Sequence, residues 1–102
     1  MAKQILQINF NFDGPRDVAV QTFMPLAKPI ADQPGLKWKI WCWNDENREF
    51  AGEYLFEDEG ALKAYIEGEI VDQVKQHPAT SNISAKVFEL LENPTAITRG
   101  PM

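Results

Sequence analysis

The sequence predicts an α+β fold with the element order β-α-β-β-α-β. Three observations lead there. Stretches with strand character recur at residues 3–12, 36–43, 49–56 and 83–91, and stretches with apolar residues at helical spacing fall at 15–32 and 57–76. Only a short polar turn separates the middle two strand-like stretches, which makes them a hairpin, whereas a helix separates each outer pair. No linker, repeat or low-complexity segment divides the chain, so residues 1–92 are expected to share one core as a single domain, with 93–102 as a loosely held C-terminal tail.

Each element has its own justification. In the first strand Leu6, Ile8, Phe10 and Phe12 alternate with Gln7, Asn9 and Asn11, the period-2 pattern of a ribbon with one buried face. Asp13-Gly14-Pro15 then turns the chain and offers a proline suited to the start of a helix, and Ala19, Phe23, Ala27 and Ile30 follow at helical spacing. Pro25 and Pro29 fall inside that pattern, where each lacks a backbone donor and crowds the preceding turn, so a bend is expected. Gln33-Pro34-Gly35 ends the helix. Residues 36–43 are so rich in β-branched and aromatic side chains that a strand follows, and residues 49–56 fold back against it. Glu57, Asp58 and Glu59 place negative charge where a helix N-terminus favours it, and Leu62, Ile66, Ile70 and Val74 mark a buried stripe along one helix reaching about residue 76. His77-Pro78 stops it, a polar loop runs through Asn82, and the last strand follows.

Two right-handed β-α-β units interleaved in this way give a four-stranded antiparallel sheet with both helices on one face, the ferredoxin-like arrangement. The other face is left bare. In the hairpin Trp38 and Ile40 point one way while Trp41 and Trp43 point the other, and Tyr54 and Phe56 oppose Leu55. Bulky residues on both faces would leave an apolar surface, and the economical solution is a two-fold homodimer.

Composition limits the possible functions. The chain has 102 residues, 44% of them hydrophobic and 11% aromatic, enough for one real core. With 15 acidic against 10 basic residues the net charge is −5, which disfavours a nucleic acid partner. No apolar run approaches the length of a membrane span, and no signal-like segment opens the chain, so a cytoplasmic location away from membranes is expected. A lone Cys42 and a single His77 supply no soft-ligand cluster, so no metal is expected. The same single histidine, placed before a proline, argues against a hydrolytic triad. The six glycines never reach a dinucleotide or P-loop spacing, and no cofactor is expected, although a flavin held without a motif stays open.

What remains is a set of aromatic and polar side chains on the strands: Gln7, Asn9 and Asn11, then Trp38, Lys39 and Trp41, then Tyr54 and Phe56. A pocket lined by these would suit a flat organic molecule with one or two polar handles, although core and interface packing also accounts for the aromatics.

Three stretches carry a family resemblance: Gln7-Ile8-Asn9-Phe10-Asn11-Phe12-Asp13-Gly14-Pro15, residues 33–41 ending in Trp38-Lys39-Ile40-Trp41, and Gly52-Glu53-Tyr54-Leu55-Phe56-Glu57-Asp58-Glu59, followed by Ala85-Lys86-Val87-Phe88. In order and spacing the chain resembles the YdhR-type monooxygenase family over residues 4–92. The resemblance implies a dimeric α+β barrel and an oxidoreductase of the kind that needs neither metal nor flavin. Carried over by position, Trp38, Lys39 and Trp41 match a W-K-x-W pattern and Tyr54 and Phe56 a Y-L-F pattern, contributing to a barrel lumen. Asn9 stands where the family can carry a histidine, which removes an imidazole base from that strand. The chemistry left open is oxidation of a phenol or quinol that reduces oxygen directly. In that scheme the tryptophans, Lys39, Asn11 and Phe56 bind the ring, and Asn9, Gln7 and Tyr54 donate hydrogen bonds, with Asn9 and Tyr54 the catalytic pair. The alternatives to oxidation of a small aromatic ligand are a non-catalytic small-molecule binding protein using the same pocket, or an isomerase or lyase on the same fold.

Overall fold

The structure, a computed structural model, describes residues 3–102. Its sheet has four antiparallel strands, β1 (Gln4–Phe12), β2 (Leu36–Asn44), β3 (Glu49–Phe56) and β4 (Thr80–Glu89), in the order β2-β3-β1-β4. The first and third strands are central, as the ferredoxin-like topology requires. Between β1 and β2 lie α1 (Arg16–Phe23), a 3-10 turn (Met24–Leu26) and α2 (Ala27–Ala31); between β3 and β4 lie α3 (Glu59–Ile66) and α4 (Glu69–Gln76).

The strand register sorts the side chains into transverse rows. On the helix-covered face these rows are Lys39–Tyr54–Leu6–Val87 and Trp41–Gly52–Ile8–Ala85, with Leu36–Phe56 at one end and Trp43–Phe50–Phe10 toward the other. On the opposite face they are Trp38–Leu55–Ile5–Phe88, Ile40–Glu53–Gln7–Lys86, Cys42–Ala51–Asn9–Ser84 and Asn44–Glu49–Asn11–Ser81. The core occupies the helix side. Leu6, Tyr54, Phe56, Leu62, Tyr65 and Val71 pack in one buried cluster, and Phe12, Ala19, Phe23 and Phe50 in another.

Several expectations change in detail. The first helix bends at Pro25, the middle residue of the 3-10 turn; Pro29 sits in the first turn of α2, where no donor is needed. The second helix is not continuous: it breaks at Glu67-Gly68, and Gly68 becomes the N-cap of α4. Restarting there turns Val71 into the core, while Ile66 and Ile70 of the expected stripe are only partly buried. β4 begins at Thr80, because Thr80 and Ser81 pair with Phe12 and Asn11 past a register shift, with Asn82 in the left-handed region at φ 54°. An edge strand tolerates such polarity. Residues 93–102 are held more firmly than a loose tail: α5 (Glu92–Ile97) forms, Trp38 Nε1 donates to the Pro101 carbonyl at 3.3 Å, and Lys3 Nζ donates to Met102 O at 2.9 Å.

Candidate functional site

The site follows from a bulge. In β2 the register shifts between Leu36 and Trp38, so Lys37 is the extra residue, Leu36 faces the helices and Trp38 faces away. From there Lys39 and Trp41 alternate onto the helix side. Lys39 lies opposite Tyr54, and Trp41 lies opposite Gly52. The missing side chain at Gly52 makes room: a Cβ there would stand 3.0 Å from Lys39 Cε and 3.0 Å from the Tyr54 ring. The lysine stem crosses this gap and puts Nζ 3.4 Å from the Trp41 ring centroid and 4.5 Å from that of Tyr54, both cation–π distances.

Around this amine is an inner cavity of about 30 Å³, walled chiefly by Ile8, Phe10, Phe23, Trp41, Tyr54 and Tyr65. That is room for a molecule the size of water. Phe23 and Trp41 also line an outer groove of about 170 Å³, completed by Val20, Met24, Ala27 and Phe50. Trp41 is 39% exposed and Met24 61% exposed, so the groove opens to solvent along α1. Its volume is close to that of cavities known to take one benzene ring, about 150 Å³.

The electrostatics are set by burial. Among the described residues no carboxylate pairs with Lys39, and desolvation pushes its pKa down to about 7. Behind it the Tyr54 and Tyr65 hydroxyls share a buried hydrogen bond of 3.0 Å. Burial raises both phenols: Tyr54 well above its ordinary range, helped by Tyr65, and Tyr65 to about 12 against the opposing pull of its bond to Tyr54. At neutral pH the tyrosines are therefore neutral donors, and Lys39 is the pocket group whose charge changes near pH 7.

Of the residues singled out in the sequence, Lys39, Trp41 and Tyr54 come together here. Phe56 does not line the space: it is fully buried beneath Tyr54 and Tyr65, with ring centroids at 6.1 and 5.6 Å. Gln7, Asn9, Asn11 and Trp38 lie on the opposite face of the sheet, because alternation puts them one residue out of phase with the lining set. There Asn9 Nδ2 donates to Glu49 at 3.3 Å, and Asn11 bonds to the Asn47 carbonyl and to Asn82. A single pocket holding Asn9 beside Tyr54 is thus not formed within one chain. Tyr65, Phe23 and Gly52 belong to the site without having been singled out. Tyr65 lies three residues after Leu62, a helical spacing that marks it; nothing local marks Gly52. His77 packs against Phe12 and Phe23, its Nδ1 accepting from Ala79 N, as a structural residue. Among the described residues no three His, Cys, Asp or Glu side chains cluster to hold a metal, and no helix is long and apolar enough to cross a membrane.

Comparison with known proteins agrees with this architecture. The family profile described as "Putative mono-oxygenase ydhR" matches residues 5–101. The chain belongs to this family. Among curated proteins none matches the sequence. Solved structures with the same fold include a protein of unknown function from Nitrosomonas europaea, 22% identical over 89% of this chain and 91% of that one, with a TM-score of 0.71. SnoaB, a cofactor-independent oxygenase from Streptomyces nogalater, is 15% identical over 91% of this chain and 97% of its own, with a TM-score of 0.73. A protein described as a "putative antibiotic biosynthesis monooxygenase" from Deinococcus radiodurans is 12% identical over 87% and 93%, with a TM-score of 0.70. At these identities the likeness is one of fold.

Proposed function

We propose that this protein is a monooxygenase that oxidises a small phenol or hydroquinone with dioxygen and without a flavin or metal. The observation that carries the reading is the aromatic-walled groove leading to one amine and one neutral phenol pair, in a chain of a monooxygenase family. The outer groove holds the ring against Trp41 and Phe23. The inner cavity, apolar and small, suits dioxygen. Phenolate gives one electron to oxygen, the resulting radical pair joins at a ring carbon, and a peroxide forms there. Protonation of the peroxide, loss of the ring C–H proton and departure of hydroxide leave a quinone and water, so a phenol and O₂ become a quinone and H₂O. The protein contributes orientation, exclusion of bulk water and hydrogen bonding from Tyr54 to a developing oxyanion.

On the opposite face Gln7, Asn9, Asn11 and Trp38 act, in this reading, through a homodimer, in which a second sheet covers them and a partner's side chains complete a ligand site. The mixed polar rows there fit an interface of ordinary polarity. The chain works in the cytoplasm, where a lone exposed Cys42 remains reduced.

Oxygen uptake with a panel of phenols and hydroquinones, read together with tryptophan fluorescence, tests the reading. Saturable quenching with oxygen consumption above the uncatalysed rate is expected. Saturable quenching without consumption would transfer the site to a non-catalytic binding protein, a role the almost wholly apolar outer groove would also serve.

A further inference from the structure

We infer that Lys39 is the proton acceptor that ionises the bound hydroxyl group, so that the groove selects phenols and hydroquinones whose oxygen reaches Nζ and binds them as anions. This rests on the phenol reading above and adds the group that reading lacks. Three geometric facts converge on it. Lys39 Nζ stands over Trp41, one of the rings common to the outer groove and the inner cavity, which brings the amine to the boundary between the two. No carboxylate pairs with the amine among the described residues, so its only electrostatic partners are the two ring faces. The other titratable groups in the cavity wall are Tyr54 on β3 and Tyr65 on α3, and these are bonded to each other and held neutral. The segments supplied by α1, α4 and β4 to that wall are apolar: Phe23, Val71, Val74 and Ile83.

Burial favours the free amine near neutrality, the form that accepts a proton. The phenol O–H bond breaks, an N–H bond forms, and the oxygen keeps the electron pair. The ion pair so made is stronger than in water because the site is poorly solvated. Each partner stabilises the other's charge, so the ammonium pKa rises and the phenol pKa falls on binding. The ammonium afterwards returns its proton to the peroxide oxygen, which restores the free amine. Where the amine is still charged before binding, at lower pH, forming the same pair releases one proton to solvent.

The probe is 4-nitrophenol, whose anion absorbs visible light and whose neutral form does not. At a pH well below the dye's own pKa, the wild-type protein is expected to show the anion band on binding. Lys39→Met keeps the apolar stem but not the amine, so it should bind the dye in its neutral form and reduce turnover of unactivated phenols by a factor on the order of 10²–10⁴. Acidic phenols already ionised in solution should lose far less. Lys39→Arg, charged throughout, should still bind the dye as its anion but with one proton released to solvent at every pH, and turnover of unactivated phenols should fall because no amine accepts their proton. A wild-type protein that binds the dye neutral, or does not bind it, overturns the inference, as does an anion band that survives in Lys39→Met. Oxygen uptake separates the two readings: an anion band without uptake leaves Lys39 as the acceptor and removes the oxygenase, while uptake with a neutral bound phenol does the reverse.

Discussion

Lys39 reaches its position because Gly52 offers no side chain and because Trp41 and Tyr54 present ring faces to Nζ. A lysine held in this way affects stability as well as chemistry. Its native pKa of about 7 lies below the ordinary 10.5 of the unfolded chain, so between those values the unfolded state binds more protons and stability rises with pH. The tyrosines act in the other direction. Their native pKa values are raised, so once an unfolded tyrosine begins to ionise near pH ~10 the native state holds more protons and stability falls. Urea midpoints should therefore climb from about pH 7 and turn over near pH ~10, and Lys39→Met should flatten the climb without moving the fall. An unchanged profile in that variant would mean the amine is solvated. Trp41→Phe is a complementary test: at 39% exposure it contributes little to the core, so stability should fall by less than about 1 kcal/mol while ligand quenching weakens.

At the scale of elements, the site depends on two irregularities. The bulge at Lys37 sets which residues of β2 face the helices, and the break at Gly68 lets α3 and α4 bury Tyr65 and Val71 on either side of it. α3 itself begins as its sequence indicates: Asp58 Oδ1 accepts from Ala61 N at 2.8 Å, and Glu59 adds negative charge to the first turn. Asp58→Ala should destabilise the fold by about 1 kcal/mol, with Asp58→Asn nearly neutral. Equal losses from both would point to charge rather than the cap. Gly35, between α2 and β2, has φ +80°, and a Cβ there would lie 2.5 Å from Ala61 Cβ. Gly52 is the more informative position. An alanine there must displace Lys39 Cε or the Tyr54 ring, so Gly52→Ala should weaken phenol binding more than it lowers the melting temperature. The reverse order would place Gly52 in the packing and outside the site.

For the molecule as a whole, the uncovered sheet face is less apolar than the hairpin sequence implies. Trp41 and Trp43 are on the helix side, and Trp43 packs on Phe50 with its Nε1 donating to Asp45. The apolar row Trp38–Leu55–Ile5–Phe88 sits at one end, where the C-terminal segment reaches it through Trp38 and Lys3, and Leu55 is fully buried. Ile40 at 50% and Phe88 at 46% exposure remain as anchors among Gln7, Asn9, Glu53 and Lys86. Sedimentation equilibrium at micromolar concentration should give twice the chain mass, and Ile40→Lys should shift the protein toward monomer. A clean monomer in the wild type would remove the dimer and, with it, any part for Asn9 and Trp38 in a ligand site.

Local order was legible in the sequence because it depends on local causes. The alternation of Leu6, Ile8, Phe10 and Phe12, the turn chemistry at Asp13-Gly14-Pro15 and the acidic start at Glu57-Asp58-Glu59 act within a few residues, and the β-α-β-β-α-β order with its ferredoxin-like sheet follows from them. The candidate site was legible only in its composition. Lys39, Trp41 and Tyr54 carry suitable chemistry in any conformation, but which residues join them depends on the phase of one strand against another. Alternation within β1 and β3 says that Asn9 and Tyr54 each have a face; it does not say whether those faces coincide. Register decided that: Leu6 is paired with Tyr54 and Asn9 with Ala51, which puts the sheet between the two expected catalytic residues. Likewise only the pairing of Trp41 with Gly52 turned a glycine with no local signature into the opening through which a lysine stem reaches two aromatic rings.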